Sequence, residues 1–229
     1  MTERRTIHLN PATDVAERVL LPGDPQRALA VSQALLAEPK MMNARRGLWG
    51  YTGVAPDGGL LTVQSTGMGG PSAAIVVEEL IELGARTFIR IGTCGSLVPD
   101  LQIGELLAVE AAIGADGTSQ ALGANGRVEP DERLTEALGS RTGTVVSTDL
   151  FYDPRSHIHE RWVEAGAQAV EMEAATVLMV AARREVSAAC LLAVTDELAG
   201  GRVRMDQERI EEVGIELGRA ALEALATSP

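Results

Sequence analysis

Short apolar runs that end in turn residues alternate along this chain with segments whose apolar residues recur at helical spacing. Runs of the first kind are typical of buried strands, and such an alternation predicts an α/β fold around a central twisted sheet. Pro25 and Pro71 stand where two helices would begin, a position that tolerates the missing backbone N–H. The predicted strands are Arg18–Pro22, Leu60–Gln64, Thr87–Ile91, Glu105–Val109, Thr144–Ser147 and Ala188–Thr195, and the predicted helices are Pro25–Ala37, Pro71–Leu83, Arg133–Leu138, His159–Ala165, Glu173–Arg184 and Gln207–Ala226.

The pattern predicts a single domain over residues 1–229. A chain of 229 residues is long enough for one α/β domain with a full hydrophobic core, and no repeat or low-complexity tract divides it. Aromatic residues make up only 3% of the chain, so the core must consist mainly of Ala, Val, Leu and Ile. The segment Ala115–Pro130 is rich in glycine and polar residues, and we predict that it is flexible.

The charge of the chain limits its partners. A net charge of −12 argues against the broad basic face that nucleic acid binding requires, although a few arginines inside a pocket can still bind a small anion. Cys94 and Cys190 are the two cysteines, too few for a disulfide framework or a Cys-based zinc site. The start of the sequence is polar, and no run approaches the roughly 20 apolar residues of a membrane span. We expect a cytoplasmic protein with neither a membrane nor a nucleic acid partner.

The segment LLPGDPQR (residues 20–27) leads from a predicted strand into a predicted helix. The first turn of a helix presents unpaired N–H groups and the positive end of the helix dipole, and both stabilise an anion. Gly23 lets the backbone approach a ligand closely, and Arg27 can bind an oxyanion with two hydrogen bonds. The alternative is a tight turn followed by a solvent-exposed arginine.

The segment FIRIGTCGS (residues 88–96) places an arginine inside a buried strand. Arg90 needs an anionic partner, because an unpaired buried charge is costly. The glycine-rich strand end that follows supplies backbone N–H groups and the hydroxyl of Thr93, at the edge where open α/β sheets bind ligands. The alternative is that Arg90 forms a purely structural pair with a carboxylate.

Two further segments place carboxylates at strand ends. Glu171 and Glu173 in AVEMEAA could accept hydrogen bonds from adjacent sugar hydroxyls, or could simply be acids favoured by a helix dipole. Asp196 in LLAVTDE ends a long apolar strand, where a partly desolvated carboxyl group can act as a general acid. The alternative for Asp196 is a helix cap or a turn. His8 and Arg46 carry little information by themselves.

Taken together, these segments resemble a known family. LLPGDPQR, NARRGLWGYTG, STGMGGPS, IRIGTCGS, STDLFY, VEMEAA and TDE occur in this order and resemble the purine nucleoside phosphorylase and uridine phosphorylase superfamily, over about residues 8–209. The chain looks most like the hexameric bacterial-type purine nucleoside phosphorylases and the archaeal-type methylthioadenosine phosphorylases. The resemblance implies a nucleoside phosphorylase-I type fold, with a Rossmann-like three-layer arrangement of helices around a mixed sheet.

The resemblance also implies a role for individual residues. It implies phosphate binding by Gly23, Arg27, Arg46, Arg90 and Thr93; ribose binding by His8, Met68, Met172 and Glu173; base binding by Cys94, Gly95, Phe151, Val170 and Glu171; and proton donation to purine N7 by Asp196, assisted by Arg209. The family implies a hexamer, a trimer of dimers in which His8 and Arg46 serve the neighbouring subunit. It requires neither metal nor organic cofactor, because phosphate is itself a substrate.

Within this superfamily, purine nucleoside phosphorolysis is the predicted reaction. Uridine phosphorylases carry a Gln-x-Arg pair after the FY dipeptide, whereas this chain continues as FYDPRSHIHERW, although Arg155 lies in that segment. Nucleosidases of the same fold lack the GDPxR loop. Methylthioadenosine phosphorylase stays open, because TDELAGGRVRMDQER resembles that subgroup. A nucleoside-binding protein without catalysis is the alternative of a different class, and it would be indicated by loss of Arg27, Arg90 or Asp196.

Overall fold

One mixed sheet runs through the computed structural model, which describes residues 6–199, 201 and 203–227. The two outermost strands are more exposed than the central ones. In chain order the strands are β1 (Arg18–Pro22), β2 (Ala37–Asn43), β3 (Gly50–Val54), β4 (Leu60–Gln64), β5 (Thr87–Ser96), β6 (Leu106–Gly114), β7 (Arg127–Val128), β8 (Arg141–Ser147), β9 (Ala169–Glu171), β10 (Ser187–Glu197) and β11 (Val203–Arg204).

The sheet is partly closed on itself. Its neighbouring strands follow the order β11-β10-β6-β8-β9-β5-β1-β4-β3-β2, with β7 beside β6, and β10 pairs with β5 as well. Strands β5, β10, β6, β8 and β9 therefore form a closed ring, and β1, β4, β3 and β2 extend from it as an open sheet. Strands β1, β4, β5 and β10 pair in parallel, so their carboxyl ends meet at one edge.

Seven α-helices in the described residues pack on the sheet. Asp24, Asp116 and Asp131 cap three of them, each side chain accepting a hydrogen bond from a backbone N–H of the first turn. No helix in the described part of the chain is long and apolar enough to cross a membrane. The helices are α1 (Pro25–Leu35), α2 (Gly70–Glu82), α3 (Gly117–Ala121), α4 (Glu132–Ala137), α5 (Ile158–Glu164), α6 (Ala174–Arg183) and α7 (Gln207–Thr227).

The core lies on both faces of the sheet, as the apolar runs of the sequence predict. Successive side chains of a strand point to opposite faces. Leu20 accordingly packs with α1 and α7, whereas Val19 and Leu21 pack with α2 and α6. The layers are helix, sheet and helix, which confirms the predicted α/β class.

The structure differs from the predicted elements at the edges. Strand β2 was not predicted, because AEPKMMN at the edge of the sheet lies largely exposed and has no continuous apolar run. Strand β3 (GYTGV) was not predicted either, although it is mostly buried between β2 and β4. The segment Ala115–Pro130 is not a structureless loop, since it contains α3 and β7. Its Asp116 is fully buried and accepts hydrogen bonds from Ser119 and Thr176.

Candidate active site

A cavity of about 730 Å³ opens at the carboxyl ends of β1, β5 and β10. The loops that follow these parallel strands begin at this edge of the sheet, which is the position at which open α/β sheets bind ligands. Thirteen of the predicted site residues line this one cavity: Gly23, Arg27, Met68, Arg90, Thr93, Cys94, Gly95, Phe151, Val170, Glu171, Met172, Glu173 and Asp196.

The loop from β1 to α1 forms one wall. Pro22 and Gly23 are held by the backbone N–H groups of Thr66 and Gly67, which donate to their carbonyl oxygens at 2.9 and 3.0 Å. Asp24 caps α1, and Arg27 follows in the first turn of that helix. The turn and the helix cap thus set the position of Arg27 at the N-terminus of α1, where it lines the cavity.

Arg27 is a largely buried cation with no hydrogen bond or ion pair to any other described residue. Burial lowers its pKa, the charge of Asp24 opposes this effect, and the nearby Arg90 adds to the lowering. Burial and the charge of Arg90 thus oppose the protonation of Arg27, which has no ion pair among the described residues, and an anion bound beside it would be strongly favoured.

Arg90, in contrast, is firmly paired. Its Nη2 lies 2.9 Å from Glu171 Oε2 and 2.6 Å from Glu173 Oε2, and its Nε donates to Glu171 Oε2 at 3.1 Å. Burial alone would lower the pKa of Arg90, but the charges of Glu173 and Glu171 outweigh it and raise the pKa. Arg90 is therefore both paired with carboxylates and part of the cavity lining, which combines the two alternatives that the sequence left open.

Glu171 has no exposed side-chain surface. Besides Arg90, its carboxylate accepts hydrogen bonds from the Ser147 hydroxyl and from the backbone N–H groups of Glu173 and Ala174 at the start of α6. These contacts hold Arg90 and the first turn of α6 in place. Glu171 also lines the cavity, and its place beside a base stays a prediction.

Glu173 is the second carboxylate of this cluster. Its Oε1 accepts the backbone N–H of Gly69 at 2.5 Å, and its Oε2 faces Arg90. Burial raises the pKa of Glu173, the charge of Arg90 lowers it, and the neighbouring Glu171 raises it further, so that the net shift is upward. We call Arg27, Arg90, Glu171 and Glu173 the cavity floor.

Asp196 lies at the end of β10, and its side chain is almost completely buried. Strand β10 is irregular here, since Val194 pairs with Cys94 while Asp196 pairs with the next residue, Gly95. The hydroxyl of Thr195 donates to Asp196 Oδ2 at 3.0 Å. The irregularity follows an apolar run over residues 188–194, and the carboxyl group of Asp196 lines the cavity directly after it.

Cys94 also lines the cavity, but it is not a nucleophile. Burial raises the pKa of its thiol well above the ordinary value, so the reactive thiolate is not formed near neutral pH. Among the described residues no group of three or more His, Cys, Asp or Glu side chains is arranged to hold a metal ion.

The opposite rim, which we call the cavity mouth (residues 148–159), exposes large apolar side chains to solvent. Leu150, Phe151 and Tyr152 are 47%, 51% and 86% exposed. The rings of Phe151 and Tyr152 meet edge to face at 5.0 Å. Sequence reasoning found only Phe151 here; it missed Tyr152 directly after it, as well as His159, which stacks on Trp162 at 5.6 Å and also lines the cavity. The aromatic spacing in FYDPRSHIHERW was the available signal.

Three predicted residues do not reach the cavity of their own chain. His8 pairs through Nδ1 with Glu79 at 2.7 Å, and Arg46 is exposed on the turn before β3, with a positive φ of 58°. Arg209 lies in the first turn of α7, where its Nη1 is 2.8 Å from Glu212 and 2.9 Å from Glu216. Both carboxylates lie on the same helix as Arg209, and its assistance of Asp196 stays a prediction.

Comparison with known proteins shows the family of this chain. Residues 17–227 match the family model of the phosphorylase superfamily. A purine nucleoside phosphorylase DeoD-type from Caldanaerobacter subterraneus is 36% identical over 92% of this chain and 95% of its own length. Proteins of the same description from Jannaschia and Roseobacter denitrificans are 35% and 34% identical, over 89% and 96% of this chain and 92% and 98% of their own lengths. The chain belongs to the phosphorylase superfamily.

Proposed function

We propose that this protein is a purine nucleoside phosphorylase, a pentosyltransferase that converts a purine nucleoside or deoxynucleoside and phosphate into free base and pentose 1-phosphate. The observation that carries the proposal is Arg27 in the first turn of α1, close to Arg90: it is largely buried and has no ion pair in the described part of the chain. A cation kept in that state at the bottom of a cavity needs an anion, and the similar proteins named above are purine nucleoside phosphorylases.

Phosphate would bind to the floor of the cavity. Arg27 supplies the unneutralised charge, Arg90 supplies donors held in a fixed direction by two carboxylates, and the Gly23 backbone and Thr93 hydroxyl complete the set. Binding in this position converts a bimolecular attack on the sugar into a positioned one. The negative charge of phosphate also stabilises the positive charge that develops on the sugar as the glycosidic bond breaks.

The sugar would lie between floor and mouth, against Met68, Met172 and Glu173. Glu173 is a good acceptor for a sugar hydroxyl, because its carboxylate is already oriented by Gly69 and Arg90. The apolar side chains of Met68 and Met172 cover the faces of the ring. The arrangement holds C1′ over the phosphate, from which one oxygen attacks as the bond from C1′ to the base breaks.

The leaving purine would lie between the mouth and the strand ends, beside Cys94, Gly95, Phe151 and Val170. The electron pair of the broken bond passes to the base, and protonated Asp196 donates its proton to N7, so that a neutral purine leaves. The part of Arg209 in this step remains a prediction, since the guanidinium is paired with Glu212 and Glu216.

The site would be completed by a second subunit. His8 and Arg46 do not line the cavity of their own chain, and a neighbouring cavity is where the family resemblance assigns them. We therefore propose a homo-oligomer, a hexamer built as a trimer of dimers, acting in cytoplasmic nucleoside salvage without a metal or organic cofactor.

Base release from inosine, adenosine, methylthioadenosine and uridine, each with and without phosphate, tests the proposal. We expect phosphate-dependent release from inosine and adenosine. A strong preference for methylthioadenosine would replace the proposed substrate with the 5′-thiomethyl one. Release that ignores phosphate, or that favours uridine, would contradict the assignment of the arginines or of Asp196.

A further inference from the structure

Helix α7 carries a glycine against the arginine that marks the phosphate subsite. Gly214 is buried in the interior of α7, and a Cβ placed on it would lie 3.1 Å from each of Cγ, Cδ and Nε of Arg27. Ordinary contacts between carbon atoms are about 3.5–4.0 Å. The side chain of Arg27 therefore lies directly on the bare backbone of α7, and any side chain at residue 214 would displace it.

This glycine has no local reason to be in a helix. Gly214 does not adopt a positive φ, and glycine is less favourable than alanine at such a position because it loses more conformational freedom on folding. The contact with Arg27 supplies a reason, since it requires the smallest residue at this point of the helix.

One turn further along, the same two helices repeat the arrangement without the arginine. A Cβ on Gly218 would lie 2.7 Å from Cγ1 of Val31 and 3.2 Å from Cδ1 of Leu35. The contact of Gly218 with Val31 thus corresponds to that of Gly214 with Arg27, four residues further along both helices, and it is the closer of the two. Only the first contact involves a residue that lines the cavity.

We propose that Gly214 is a positioning residue for the phosphate subsite: by leaving space on α7 it sets where the guanidinium of Arg27 stands. This inference rests on the proposed function, because it takes phosphate as the ligand of Arg27. It goes beyond that function, because α7 does not line the cavity. The inference gives this helix a part in the affinity for phosphate and none in the affinity for the nucleoside.

The test compares Gly214→Ala with Gly218→Ala as the matched control. Displacing Arg27 by a few tenths of an ångström should raise the KM for phosphate about fivefold to tenfold in Gly214→Ala, with the KM for inosine changed less than about twofold. Gly218→Ala should leave both KM values near those of the wild type. A KM for phosphate that does not change in Gly214→Ala, or that rises equally in Gly218→Ala, would overturn the inference.

A second measurement needs no catalysis. In an Arg27→Ala background the crowding at residue 214 is removed, so adding Gly214→Ala should raise the thermal unfolding midpoint through helix propensity. In the wild-type background the same substitution should give a smaller rise or none. An equal rise in both backgrounds would show that Gly214 and Arg27 are not coupled. If the wild type released base without phosphate, the proposed function would fail, and this cycle together with calorimetric titration of inorganic phosphate would still decide the coupling.

Discussion

The floor and the mouth of the cavity are built on opposite principles. The floor consists of buried charges, with Arg90 bonded to two carboxylates that are themselves held by backbone N–H groups. The mouth exposes apolar rings to solvent, with Tyr152 86% exposed. At the floor, a polar ligand that must bind in one orientation contacts groups that are already fixed. At the mouth, the side chains become buried only when the apolar face of a ligand binds against them.

The same comparison applies within the floor. Arg90 is paired with two carboxylates, whereas Arg27 has no ion pair among the described residues. Loss of Arg90 would leave two buried carboxylates without their cation, whereas the charge of Arg27 is one that a bound anion would neutralise.

Replacing Arg90 should have the largest effect. Arg90→Met leaves Glu171 and Glu173 buried without their cation, and we expect a loss of about 3–5 kcal/mol in the free energy of unfolding, measured by urea denaturation. The control is Arg184→Met. Arg184 also pairs with two glutamates, Glu78 at 2.7 Å and Glu82, but on the surface, where we expect less than about 1 kcal/mol. If Arg90→Met and Arg184→Met lost equal free energy of unfolding, burial would not make the ion pairs of the floor more important than those on the surface.

Arg27→Met should act in the opposite sense on stability. Removal of an unpaired buried cation should leave the free energy of unfolding unchanged or raise it, while kcat/KM for phosphate should fall about 10²–10³-fold. Steady-state kinetics and urea denaturation on the same preparation measure both. If Arg27→Met were as destabilised as Arg90→Met, or if it kept its activity, the proposed difference between the two arginines would be wrong.

Phe151→Ala should affect the mouth alone. Because stacking of a base on an aromatic ring is lost, we expect the KM for the nucleoside to rise about tenfold, with the KM for phosphate and the stability little changed. Val54→Ala removes another exposed apolar side chain, 44% exposed at the end of β3 and outside the cavity lining. It should leave both KM values as they are. A rise in the KM for phosphate in Phe151→Ala would show that the two regions are coupled.

The smallest effect should come from the ion pair of the mouth. A hydrogen bond from the Arg155 side chain, with a second from its backbone N–H, lowers the pKa of Asp153 to about 2. Because the folded pKa is depressed, the stabilisation is present above the unfolded pKa of about 3.9 and is lost as the pH falls through the folded value. Asp153→Asn should therefore lower the urea midpoint slightly near neutral pH, and the difference from the wild type should narrow below pH 4. A difference that is constant with pH would exclude this pair as its cause.

The sequence was sufficient for the buried centre of the fold. Strands β1 and β4 have the predicted bounds, because a strand buried on both faces appears as an uninterrupted apolar run with turn residues after it. Strands β2 and β9 could not be found in this way. Strand β2 is an exposed edge strand and β9 has only three residues. Both are stabilised by pairing with neighbouring strands, β2 with β3 and β9 with β8.

The candidate site shows the same division. The positions of Arg27, Arg90 and Asp196 at strand ends and at a helix start follow from local sequence. The direction in which Glu171 points does not, because it is set by Arg90, 81 residues away in the chain. Arg209 was matched by resemblance alone, and its actual partners, Glu212 and Glu216, compete for it on the same helix face.

The pairing of β5 with β10 has a consequence for engineering. Arg90, Thr93 and Gly95 lie opposite Cys190, Ala193 and Asp196 along one pair of strands, whose register shifts between Val194 and Asp196. The spacing between the anion-binding groups and the carboxyl group of β10 is thus set by the backbone, and residues 148–159 take no part in this pairing. Grafting that segment from a relative with a different substrate range should transfer the range while the reaction itself is retained.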